Sequence, residues 1–172
     1  AAKLSNADLS GCNLSKAKLD GSTLLSTKVS GANLAEASFV QAQAAKANFD
    51  KSTFVNAKFG NANLSEASFI EAQGLTNADF SGAEMGSVKL GGVNLAEADL
   101  SAAKLSNADL SGCNLSKANL AGADLIQARL EGTNLSNCNL SKANLLHADL
   151  KGANLNCANL HQAKLEGVTL PF

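Results

Sequence analysis

The sequence has almost no net charge, no long apolar run, no paired-cysteine motif and only one kind of aromatic residue, Phe. Fourteen basic and fifteen acidic side chains leave a formal charge of −1, so there is no electrostatic footprint for a nucleic acid and no charged interaction tail. No stretch of about 18 apolar residues occurs, which excludes a helical membrane span, and no basic-led apolar segment opens the chain as a targeting signal would. Cytoplasmic residence is the resulting expectation, although a cleaved leader would leave no trace. The four cysteines, Cys12, Cys113, Cys138 and Cys157, stand far apart with none of the close pairs of zinc or redox motifs, and are expected as free thiols. Trp and Tyr are absent and there is one Pro, while Leu, Ala, Asn, Ser and Gly recur in a vocabulary narrow enough to announce a repeat.

Large apolar residues fall at Leu4, Leu9, Leu14, Leu19, Leu24, Val29, Leu34 and Phe39, and this spacing of five runs on to Leu170. Of 34 such centres, 25 are Leu and six are Phe. The residue two before the centre is usually Ala, so the unit reads Ala-Asn/Asp-Leu-x-x. An α-helix advances about 500° over five residues, which would spiral the leucines around the rod. A straight strand fails as well, because an odd spacing sends successive centres to opposite faces. A corner in every repeat keeps all centres facing inward, and the chain must coil.

The outward positions show a longer period. Asn precedes the centre at Asn13, Asn33, Asn94, Asn114, Asn134 and Asn154, and Gly follows it by two at Gly11, Gly31, Gly92, Gly112, Gly132 and Gly152. Both columns repeat every 20 residues, so four repeats make one coil. The Gly column marks a corner expected to need φ > 0 or close approach. The step from Phe69 to Leu75 is six residues, which predicts a bulge at Gln73 and Gly74 within a single domain spanning 1–172. Phe39, Phe59 and Phe80 are expected to stack on one wall, with Phe49 and Phe69 on another.

Runs such as Ala-Asp-Leu-Ser-Gly at 108–112 and Ala-Asn-Leu-Ala-Gly at 118–122 give the chain, over essentially its whole length, a resemblance to the pentapeptide-repeat family. The resemblance implies an all-β fold, a right-handed quadrilateral β-helix of about 8 coils; no helical cap is visible in the sequence. Residues 1–19 and 102–120 differ only at Lys18 and Asn119, a sign that blocks of coils were copied.

Catalysis needs convergent polar groups in a pocket, and this pattern turns Leu, Phe and Ala inward while polar groups sit on flat walls. No catalytic, cofactor or metal site is expected. His147, His161 and Cys157 form the single cluster that resembles metal ligands, but they fall on different walls and are read as solvent-facing. Cys12, Cys113 and Cys138 take the inward Ala position, where a thiol acts as a small apolar group. Lys89, Asp109, Arg129 and Asp149 form an outward ladder of alternating sign, one coil apart.

Leu25, Ile126 and Leu146 share one outward column and make a candidate contact surface. Leu170, Pro171 and Phe172 make a candidate end contact. Proline stops the ladder there, and two arrangements stand open, Phe172 folded as a lid over the core of a monomer or a two-fold end-to-end homodimer through the last coil. The absence of caps suggests a domain of a larger protein, or ends covered by a partner. The resulting expectation is a non-catalytic scaffold or protein-binding rod whose protein partner the sequence does not identify. The alternative that the resemblance offers is a DNA-mimicking, gyrase-binding protein of the quinolone-resistance type, which the balanced charge disfavours.

Overall fold

A computed structural model describes residues 1–171. Its secondary structure consists of isolated parallel bridges, one per repeat, beginning with Lys3 to Thr23, Asp8 to Lys28, Asn13 to Asn33 and Lys18 to Ser38. These define four walls. The first carries the centres Leu4, Leu24 and their successors, the second Leu9 and Val29, the third Leu14 and Leu34, and the fourth Leu19 and Phe39. Hydrogen bonds run both ways between coils: the Leu4 N–H donates to the Thr23 carbonyl (2.7 Å), and the Thr23 N–H donates to Ala2 (2.9 Å). The chain therefore satisfies its backbone through its neighbours along the axis, as a solenoid must.

Corners form because each centre closes a tight turn. The Ala98 N–H donates to the Leu95 carbonyl at 3.1 Å, and the third residue of that turn, Glu97, has φ of 61°. A type II turn requires this positive φ. All four corners adopt it, at Asn6, Lys16 and Gln41 as well as at Gly11, so the glycine column is not singled out by backbone conformation. Nor is it singled out by close approach within the rod, since a Cβ added at Gly92, Gly112 or Gly132 would meet nothing within 4 Å.

Gly74 is a different case. Bridges step by 20 residues elsewhere but by 21 from Lys58 to Asp79, Asn63 to Glu84 and Ser68 to Lys89, and on the third wall no bridge joins Gln73 to Asn94 among the described residues. The extra residue has φ of 75°, and a Cβ there would lie 2.9 Å from the Val55 backbone nitrogen. Gly74→Ala is expected to destabilise the rod by roughly 1–3 kcal/mol, since strain and a backbone clash combine. Gly112→Ala, at an open corner, should lose only the roughly 1 kcal/mol of the left-handed conformation, with no clash added. Urea unfolding of the two variants checks the difference.

The interior is a continuous column of large centres and small alanines, with all the centres from Leu24 to Leu145 at most 1% exposed. Phenylalanines fill its wide part. Phe39 and Phe59 stack at 4.9 Å, Phe59 and Phe80 at 4.8 Å, and Phe49 and Phe69 at 5.0 Å, while rings from different walls meet edge to face, as Phe59 and Phe69 do at 5.9 Å. Three buried hydroxyls at the alanine position donate to backbone carbonyls, Thr27 to Leu4 (2.8 Å), Ser52 to Val29 (2.7 Å) and Thr133 to Leu110 (2.8 Å), while the Ser22 hydroxyl accepts the Ala2 N–H (2.8 Å).

Candidate interaction surface

Side chains that point outward stack into ladders, because each lies one coil from its equivalent on the same wall. On the third wall the Asn114 amide donates to Asn94 Oδ1 (3.1 Å), Asn134 to Asn114 (3.2 Å) and Asn154 to Asn134 (3.3 Å). Each Oδ1 also accepts the N–H two residues on, for example Ser116 on Asn114 at 3.1 Å. Asparagine suits this position because it accepts from its own turn and donates to the next coil; aspartate can do only the first. A second amide ladder, Asp99, Asn119, Asn139 and Asn159, runs up the fourth wall at 3.1–3.3 Å. Sequence reasoning missed it, although the 20-residue spacing of those three asparagines was visible.

Charges obey the same spacing. Lys16 and Glu36, Lys46 and Glu66, Glu84 and Lys104, and Glu97 and Lys117 all pair between consecutive coils, at 2.8–3.9 Å. These pairs were also overlooked in the sequence. In the second-wall ladder the rungs are neighbours throughout, but only Arg129 and Asp109 close to an ion pair (3.4 Å), and Arg129 also reaches Glu131 (3.7 Å). Exposed pairs of this kind contribute tenths of a kcal/mol each.

Ile126 and Leu146 lie half-buried in adjacent coils, whereas Leu25 is 48% exposed and five coils below Ile126. Between them the column holds Ala45, Ser65, Gly86 and Ser106, so the three do not form one strip. Val55 and Ile70 are exposed apolar residues outside this column. They sit at different corners.

At the C-terminal end, Leu165 and Leu170 are 45% and 53% exposed, and Pro171 is half-buried with its carbonyl accepting the Gly152 N–H (3.0 Å). Phe172 lies outside the described residues.

His147, His161 and Cys157 are exposed, and no group of three or more His, Cys, Asp or Glu side chains is placed to hold a metal among the described residues. Cys113 and Cys138 are buried and hydrogen-bonded to carbonyls. Cys12 departs from its expected core environment. It takes the inward position, but in the first coil, which no further coil covers in this structure, and it is exposed.

Burial pushes the Cys113 and Cys138 thiols from the ordinary 9.0 up to about 12. Ellman titration of the native chain should therefore show two reactive thiols, Cys12 and Cys157, and four after unfolding without reductant. Because the folded state disfavours these two thiolates, stability should fall as pH rises from about 9 toward about 12.

The family profile described as pentapeptide repeats matches eight copies across residues 1–34, 26–60, 47–96, 94–132 and 133–170. The chain belongs to the pentapeptide-repeat family. Its fold is similar to that of HetL, a pentapeptide repeat protein involved in heterocyst differentiation regulation from the cyanobacterium Nostoc sp. strain PCC 7120. The two share 27% identity at a TM-score of 0.61, over 99% of this chain and 90% of that one. A trypsin-treated variant of QnrB1, a plasmid-mediated fluoroquinolone resistance protein, shares the fold at 22% identity and a TM-score of 0.58, over 98% of this chain and 89% of that one. No curated protein matches the chain in sequence. As in other pentapeptide-repeat proteins, the coil is a right-handed quadrilateral β-helix. No helix of the described residues is long and apolar enough to cross a membrane.

Proposed function

We propose that this pentapeptide-repeat chain is a non-catalytic scaffold rod that binds another protein through its outward side chains. One observation carries the reading: large side chains fill the interior, so among the described residues every charged side chain is displayed on the walls at a fixed rise per coil. No cavity opens among the described residues, and such a surface suits recognition over an extended area better than it suits a reaction. QnrB1 shares only the fold at this identity, and alternating charges on the second wall do not make the continuous negative face that a DNA mimic needs.

Within this reading Ile126 and Leu146 form the apolar contact surface, with Leu25 as a separate point of attachment. The intact chain, immobilised and exposed to native cell extract, should retain a specific protein that an Ile126→Lys/Leu146→Lys variant releases. Equal retention by both would reject that surface. The end contact through Leu170, Pro171 and Phe172 predicts a dimer that becomes monomeric by light scattering when the chain stops at Thr169. Monomers in both cases would reject it.

A further inference from the structure

We propose that the second wall is a self-recognition surface through which two copies of this chain pair side by side and antiparallel. Its rungs Lys89, Asp109, Arg129 and Asp149 follow one another by parallel bridges, so they lie in one line at one spacing. An alternating row with an even number of charges is complementary to its own reverse. A two-fold axis crossing the wall midway between Asp109 and Arg129 sets Lys89 against Asp149 of the second copy, and Asp109 against Arg129, giving four opposite-sign pairs. Parallel pairing in register would instead set each charge against itself, which is repulsive.

The second copy is also the one partner whose charge spacing must match, because both walls have the same rise. The third wall cannot serve in this way, since its central positions carry no charge. On the first wall, the run Glu84, Lys104 and Asp124 is odd, and inverted on its middle rung it would meet itself with like signs.

Ion pairing inside one rod leaves the ladder unsatisfied at both ends. Among the described residues Arg129 pairs with Asp109, while Lys89 and Asp149 have no ion-pair partner. The proposed contact joins those two. Shape follows the same two-fold in part: on one flank Gly91 and Ser111 would face Lys151 and Glu131 of the second copy, and on the other Ser87 would face its His147, small residues opposite large ones, while Asn107 would face Gln127, two amides able to hydrogen-bond. The corner beyond is glycine at Gly92, Gly112 and Gly132, where a side chain would meet nothing within its own rod, so bareness there serves no internal packing.

Four rungs at about 4.8 Å extend over less than about 20 Å, and a patch of that length and equal width is about 400 Å², short of the ~800 Å² per partner of a stable complex. The association is therefore weak and governed by salt. Sedimentation velocity on the chain at about 1 mM should show dimer at low ionic strength and a loss of about tenfold or more in association constant near 0.5 M salt.

Two variants make the test specific. Asp109→Lys/Asp149→Lys makes the ladder wholly positive, and Lys89→Glu/Arg129→Glu makes it wholly negative. In a chain stopped at Thr169, which removes the end contact, each alone should be monomeric with an unchanged coil by circular dichroism, and an equimolar mixture should associate again. Wild type that stays monomeric at low salt, wild-type association indifferent to salt, or a mixture that stays apart would each overturn the proposal. Stopping the chain at Thr169 leaves this contact in place, which separates it from the end contact.

Discussion

Leu115→Asp should lower the stability of the rod by about 3–5 kcal/mol, because it buries a carboxylate with no counter-ion. Leu115 is 0% exposed and lies in a column between Leu95 and Leu135, with the next coil bonded to it through the Leu115 N–H and the Asn134 carbonyl (2.8 Å). Since each coil contacts only its neighbours, the damage should spread to the adjacent coils and appear as an early, broad unfolding transition. Ser116→Asp, one residue on, begins the corner; its side chain is half-buried at the rim, and its N–H bonds to Asn114 whatever the side chain. That change should stay within about 0.5 kcal/mol. Urea titration of both variants compares them, and equal midpoints would contradict the inward and outward assignment on which the whole register depends.

Phe59→Ala should remove roughly 3–5 kcal/mol, the range for emptying a buried aromatic site. Phe59 stacks between Phe39 and Phe80 and meets Phe49, Phe54 and Phe69 from the other walls, so five rings line the space that it would leave. The walls cannot close over it, because each strand is held to the coils above and below by backbone bonds. Phe59→Leu should cost less, since Leu occupies the same wall at Leu19 and Leu100. A loss under about 1 kcal/mol for the alanine variant would show that the ring cluster is looser than its centroid distances indicate.

The amino-acid order by itself determined the coil. A period of five forbids helix and flat strand alike, a period of 20 in Asn and Gly sets four walls, and together these place Phe39, Phe59 and Phe80 in one stack. Those conclusions need only the geometry of the backbone. Surface detail was less legible: Asn119, Asn139 and Asn159 and the Lys–Glu pairs one coil apart were in plain view, but they occupy fewer rungs than the Asn94 to Asn154 column and did not stand out from a polar background.

Tertiary structure decided what depends on contact rather than period. All four corners carry positive φ, which composition could not show, because Lys16 and Glu36 accept at the corner the same conformation as Gly11. Glycine at position 74 is required by the Val55 backbone 2.9 Å away, a neighbour 19 residues distant in the chain. Cys12 and Cys113 have nearly identical sequence surroundings and opposite exposure, because in this structure Cys12 lies in the first coil and Cys113 in one packed on both sides. A repeat specifies the direction in which each side chain points; what it touches is set by the coils stacked above and below it.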